Sequence, residues 1–184
     1  MQRLILASKS PRRKELLDLL EKPYGVIVSE VDETINLEGD LRKEIEKLAF
    51  RKAQKVFLDN QDATVIGADT IVVINKQVLG KPRDENDAYR MLKMLSGNSH
   101  EVITGVCIID KNRTDCFSCA TSVKFNELSD EEIKQYIRTR EPFDKAGAYA
   151  IQGKGAKYIN SIEGDYYTVM GLPIAEVYKR LKKF

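Results

Sequence analysis

The run 64–74, Thr-Val-Ile-Gly-Ala-Asp-Thr-Ile-Val-Val-Ile, limits what this chain can fold into more than any other segment. It is apolar and β-branched, the composition of a strand buried on both faces, and such a strand needs cover on both sides. Segments with helical periodicity and capping signals lie around it, at 10–20, 40–58, 84–95, 129–138 and from Pro173 onward. Ser129 and Glu132 form a capping box, and Ser96-Gly97 stops the third helix. Further strand signals fall at 4–7, 24–28, 78–79, 101–110, 114–125, 157–162 and 166–169. The pair flanking Lys111-Asn112-Arg113 alternates as an antiparallel hairpin does. Strands interleaved with helices, with hairpins among them, predict an α/β fold with a mixed, twisted β-sheet flanked by helices.

One residue is out of place in the central run. Asp69 is expensive inside a strand buried on both faces unless it is paired, metal-bound or facing a cavity. In a regular strand Asp69 and its neighbour Thr70 point to opposite faces, so service of one site by both needs a bulge or a strand end, which Gly67 would permit.

The first helix has charges of the wrong sign. Ser10 reads as an N-cap and Pro11 as the first helical residue, so Arg12, Arg13 and Lys14 crowd the positive end of the helix dipole, each disfavoured by roughly 0.3–1 kcal/mol. Free backbone N–H groups, the hydroxyls of Ser8 and Ser10, and two guanidiniums make a place for a phosphate or similar oxyanion. In the long second helix, Leu41, Ile45, Leu48, Lys52 and Val56 share one stripe, and Lys52 is the odd member: its ammonium either snorkels to water or enters a cleft. Glu30, Asp32 and Glu33 follow a strand end, and one or two such carboxylates can hold a hard divalent cation. Gly80-Lys81-Pro82 offers a backbone turn with a cation but is no Walker A loop. The Gly-rich segment 144–153 contains Gln152, an amide able to give and accept hydrogen bonds.

Bulk properties narrow the field. A chain of 184 residues fits a single domain, 1–184, able to bury roughly 70% of its unfolded surface. With 30 basic against 28 acidic residues the net charge is only +2, which argues against nucleic acid as a partner. No apolar run approaches the roughly 18 residues of a membrane span, so no membrane partner and a cytoplasmic location are expected. Three cysteines do not make a disulfide framework; Cys116 and Cys119 have CxxC spacing, but the only further soft ligands are Cys107 and His100.

Ser8-x-Ser10-Pro11-Arg12-Arg13, Gly67-Ala68-Asp69-Thr70, Gly80-Lys81-Pro82, Asp144-Lys145-Ala146-Gly147-Ala148-Tyr149 and Ile151-Gln152-Gly153 occur in an order that closely resembles the Maf family of nucleoside triphosphate pyrophosphatases, over essentially the whole chain. The resemblance implies a two-lobed fold with a central cleft, like that of inosine triphosphatases. It implies hydrolysis of a nucleoside triphosphate between the α and β phosphates, with Mg²⁺ or Mn²⁺ as cofactor. The branch this sequence resembles acts on dTTP and UTP and has Arg, Thr and Gln where this chain has Arg12, Thr70 and Gln152. By the same resemblance Asp69 accepts the proton of the attacking water, Lys52 and Lys81 hold the triphosphate, Arg13 and Ser8 complete the phosphate end, and Glu33 assists with metal. The alternative in which Asp69 binds the metal and the metal activates the water stays open. A sister branch acting on 7-methyl-GTP has acidic residues at the positions of Thr70 and Gln152. That split is physical: the uracil or thymine edge suits a neutral amide and hydroxyl, whereas a methylated guanine suits carboxylates. Ala150, where a glycine is frequent, and the extra carboxylate of Glu30 depart from the pattern. The competing readings are a 7-methyl-GTP pyrophosphatase and a non-catalytic nucleotide-binding regulator of cell division; a homodimer stays open.

Overall fold

The computed structural model describes residues 3–184. Its secondary structure follows the apolar runs. Strand β1 (Arg3–Leu6) turns into helix α1 (Pro11–Asp18), followed by β2 (Tyr24–Val26), an irregular acidic segment, and α2 (Leu41–Phe57). The central run is β3 (Ala63–Ile74), which folds back as β4 (Gln77–Leu79); then come α3 (Glu85–Leu95), the hairpin of β5 (Ser99–Ile109) and β6 (Thr114–Phe125), and α4 (Asp130–Arg138). Short 3₁₀ turns at Glu141–Asp144, Ala146–Ala148 and Lys154–Tyr158 lead to β7 (Ile159–Glu163), α5 (Tyr166–Met170) and α6 (Ile174–Leu181).

The seven strands form one mixed sheet in the order β2-β1-β3-β5-β6-β7, with β4 paired to β3. β1 runs parallel to both neighbours, Ile5 opposite Gly25 and Val65, whereas β3/β4 and β6/β7 are antiparallel. The chain divides into two compact units. The first takes the chain up to Thr70, then 104–119 and 171–184; the second takes 71–103 and 120–170. In the first, Ile5, Ala7, Ala49, Ala53, Val56, Val65 and Ile109 form a core. In the second, Val72, Leu92, Leu95, Phe125, Ile133 and Tyr136 belong to a larger one.

Helix α2 decides where the site can be. Asp40 caps it by accepting from the N–H groups of Arg42 and Lys43, and Ile45, Leu48, Lys52 and Val56 lie on its buried face as their spacing requires. Two glycines let it approach closely: a Cβ on Gly67 of β3 would stand 2.6 Å from the Ala53 nitrogen, and one on Gly105 of β5 would stand 2.6 Å from the Ile45 carbonyl carbon. The role of Gly67 is therefore helix–sheet contact and not a bulge, since β3 runs unbroken through Asp69 and Thr70.

Several local expectations change. Ser10 occupies the N-cap of α1 but its side chain makes no capping bond; the Ser8 hydroxyl accepts from the Ser10 N–H instead, at 3.2 Å. α1 ends at Asp18, which leaves Leu19 exposed. The segment 166–169, expected as strand, is helical, because Asp165 accepts from the Thr168 N–H at 2.7 Å in the manner of a cap. Cys107 and Cys116 are bonded across the β5/β6 hairpin, with Cα atoms 4.1 Å apart. That pairing takes Cys116 out of the CxxC pair and leaves Cys119 outside the disulfide.

Candidate active site

The polar residues of the first unit converge from separate segments of the chain. At the end of β1, the buried Ser8 hydroxyl receives a bond from Arg13 Nη1 at 3.3 Å. Arg13, on α1, is only 9% exposed, and each of its nitrogens has an acceptor: Nε donates to the Gly171 carbonyl at 2.7 Å and Nη2 to Thr70 Oγ1 at 3.1 Å. Thr70 Oγ1 lies 2.8 Å from Thr104 Oγ1 of β5, which extends the chain of bonds one strand further. Burial lowers the pKa of the Arg13 guanidinium, Asp69 and Glu33 work against that, and the neighbouring Arg12 adds to it. Arg12 itself is half-buried on α1.

The next residue along β3 faces the other way. Asp69 Oδ1 accepts from Lys52 Nζ at 2.5 Å, and the same ammonium meets Glu33 Oε1 at 2.7 Å. Lys52 is 8% exposed, so its charge is withdrawn from water and compensated by two carboxylates. Glu33 belongs to the irregular segment after β2, which Arg51 ties to α2 by donating from Nη2 to the Thr34 carbonyl at 2.7 Å. The segment's exposed Asp32 turns inward on itself, accepting from the Thr34 hydroxyl at 2.6 Å.

Asp69 and Thr70 therefore anchor two polar groups on opposite faces of one strand: Lys52 with Glu33 on one, Arg13 with Ser8 on the other. No bulge is needed, because successive strand residues are only 3.8 Å apart along the chain and Asp69 remains close enough to act electrostatically on Arg13. Thr104 and the Gly171 carbonyl were absent from the residues picked out by sequence. Thr104 had a legible signal, a hydroxyl within the apolar run of β5, of the same kind that marked Asp69; the Gly171 carbonyl had none.

Lys81 and Gln152 belong to the second unit, and both side chains are exposed. Lys81 follows β4 in a turn whose Gly80 carbonyl accepts from the Gly147 N–H at 3.0 Å. Gln152 lies in the turn before Lys154–Tyr158.

The carboxylates suit a hard divalent cation in one respect only. Among the described residues no group of three or more histidine, cysteine, aspartate or glutamate side chains gathers as a ready-made metal site. Asp69 and Glu33, brought together on one ammonium, supply the one or two carboxylates that Mg²⁺ ordinarily takes from protein when waters and substrate phosphates complete its shell.

Known proteins resemble this chain over its whole described length. The family model described as Maf-like protein matches residues 3–184. A Bacillus cereus protein named dTTP/UTP pyrophosphatase is 51% identical over 184 residues, covering 100% of this chain and 96% of its own. A Bacillus velezensis protein of the same name is 51% identical over 183 residues, covering 100% of this chain and 97% of its own. Among solved structures, the Staphylococcus aureus Ham1 protein covers 97% of this chain and 99% of its own at 15% identity and a TM-score of 0.49, too loose a likeness to bear on the fold. Matched from residue 3 to residue 184 by the family model, and half identical to relatives over almost their whole length, the chain belongs to the family of Maf-like proteins.

Proposed function

We propose that this chain is a nucleoside triphosphate pyrophosphatase that hydrolyses dTTP and UTP to the nucleoside monophosphate and pyrophosphate. The observation that carries the reading is a single buried ammonium, Lys52, shared by Glu33 and by Asp69, the strand residue next to Thr70 of the Arg13–Ser8–Thr70 group. A lone structural ion pair would need one carboxylate; two carboxylates and a lysine beside a buried guanidinium form a site of mixed charge, which hydrolysis of a phosphoanhydride requires. The name of the half-identical relatives gives the substrate pair.

In this reading water adds to phosphorus at the α–β anhydride, the P–O bond to the departing pyrophosphate breaks, and Asp69 takes the proton. Lys52 orients Asp69 through its bond to Oδ1. Arg12, Arg13 and Ser8 face the phosphates at the start of α1, with Lys81 a further cation for the triphosphate. Thr70 and Gln152 match the pyrimidine edge, a carbonyl, N–H, carbonyl series to which a hydroxyl and an amide are complementary. Asp69 and Glu33 would hold Mg²⁺ or Mn²⁺, which neutralises charge developing on the phosphates when bound.

The test is product identity across a panel of triphosphates with Mg²⁺ or Mn²⁺. UTP and dTTP yielding the monophosphate and pyrophosphate, ahead of 7-methyl-GTP, is the expected result. Release of orthophosphate, or preference for 7-methyl-GTP, overturns the assignment.

A further inference from the structure

In the second unit, two side chains with no part in the reaction hold the backbone on both sides of Gln152. Tyr136 of α4 accepts at its hydroxyl from the Ala150 N–H at 3.1 Å and donates to Glu141 Oε2 at 2.6 Å. Glu141 then accepts from the Lys154 N–H at Oε1, 2.9 Å, and from the Gly155 N–H at Oε2, 3.0 Å. Three donors converge on one carboxylate, and the bonded N–H groups stand two residues before Gln152 and two and three after it. Burial works to raise the pKa of Glu141, but the bonds from Tyr136, Lys154 and Gly155 outweigh it and keep the carboxyl below its ordinary range. As an anion it is an acceptor only, which three donors require.

The sequence of the turn is fitted to this pair. A Cβ on Gly153 would stand 2.6 Å from the Glu141 carboxyl carbon, and one on Gly155 would stand 2.7 Å from the Tyr136 hydroxyl. Next to the turn, the Tyr149 hydroxyl bonds His100 Nε2 at 2.7 Å, and Lys145 Nζ donates to the Glu141 carbonyl at 3.0 Å. Ala150 and Ile151 are buried, and Gln152 is the side chain the turn turns outward. Here the bonds bracket one exposed amide, and the direction of an amide decides whether it presents its oxygen or its N–H₂ to a ligand.

We propose that Glu141, acting with Tyr136, is a positioning residue for base selectivity: it fixes the backbone around Gln152 so that the amide meets the uracil or thymine edge in one orientation. The inference rests on the reading of Gln152 as a base-contacting residue. Neither Glu141 nor Tyr136 touches the substrate in this account.

The test is steady-state kinetics of Glu141→Gln, Tyr136→Phe and Gln152→Ala with UTP and with CTP, whose amino group replaces a carbonyl of the uracil edge. Loosening the turn by one or two hydrogen bonds should raise KM for UTP roughly tenfold, leave kcat within about twofold, and narrow the UTP-to-CTP ratio of kcat/KM by about tenfold in both Glu141→Gln and Tyr136→Phe. A merely structural role lowers thermal stability without moving that ratio. An unchanged ratio in those two variants, with a changed one in Gln152→Ala, overturns the inference and leaves the role of Gln152 standing. An unchanged ratio in Gln152→Ala overturns both. Should Glu141→Gln fail to fold, Tyr136→Phe decides the matter, since it keeps the ring that packs edge-on against Tyr158 at 5.4 Å.

Discussion

Thr70 shows how much rests on single atoms here. Its hydroxyl satisfies both Arg13 Nη2 and Thr104 Oγ1, and Thr104 is fully buried. Thr70→Val keeps the shape but takes away the acceptor of the buried Arg13 Nη2, so it should destabilise the fold by about 1–3 kcal/mol, read from denaturant midpoints at unchanged m-value. A cost near zero would mean that water replaces the hydroxyl. Lys52 is the second such case. Lys52→Met keeps the buried stem and removes the ammonium that Asp69 and Glu33 share. Turnover with UTP should fall by at least roughly 10²-fold, because the carboxylates then repel each other and lose their orientation. Retention of most activity would make the lysine a structural counter-charge only.

At the scale of elements, the approach of α2 to the sheet sets the distance between Lys52 and Asp69. Gly67→Ala places a methyl against the backbone of α2, and helix backbone cannot step aside as a flexible side chain can. The variant should lose about 1–3 kcal/mol of stability and, because Lys52 is carried off with the helix, lose activity out of proportion to that. Thermal melts and turnover on the same sample check this; full activity at reduced stability would uncouple the contact from the site. The elements that sequence revealed are those whose signals are local. The Asp40 cap and the apolar stripe with Lys52 as its exception defined α2, and the Ser129–Glu132 box is formed as expected. Residues 166–169 were misread because Tyr-Tyr-Thr-Val favours strand locally, while the deciding bond comes from Asp165, one residue outside the window. Glu141 carried no signal at all, since its partners are backbone N–H groups of residues 154 and 155 and a phenol on α4. Asp69 and Lys52 were legible for the opposite reason: a charge in an apolar run or on an apolar stripe is conspicuous without knowledge of its partner, whereas Glu33 stood out only as one of three carboxylates after a strand end.

For the whole molecule, pH is the informative variable. His100, the single histidine, is 4% exposed, and burial pushes its pKa down to about 4 from 6.5. The unfolded chain takes up a proton on this residue near pH 6.5 and the folded chain only near 4. Stability is therefore unaffected by this residue above pH 6.5 and falls as the pH drops towards 4, by on the order of 3 kcal/mol. His100→Gln should show a flatter decline over that window in equilibrium unfolding, the other titrating groups being common to both proteins; parallel curves would show that His100 is protonated in the folded chain. Among the described residues no helix is long and apolar enough to cross a membrane. The catalysis we propose, in contrast to stability, draws on residues gathered from sequence positions as distant as Ser8, Glu33, Lys52 and Asp69, which is why the order of several short motifs along the chain was more informative than any one of them.

The central claim is that Asp69 takes the proton of the water that cleaves the α–β anhydride. Asp69→Asn keeps the size of the side chain and can still bond to Lys52 through its carbonyl oxygen. Single-turnover release of pyrophosphate from UTP by this variant measures the claim directly. The account predicts a rate lower by roughly 10²–10⁴-fold with UTP still bound; a rate within about tenfold of the unmodified protein would contradict it.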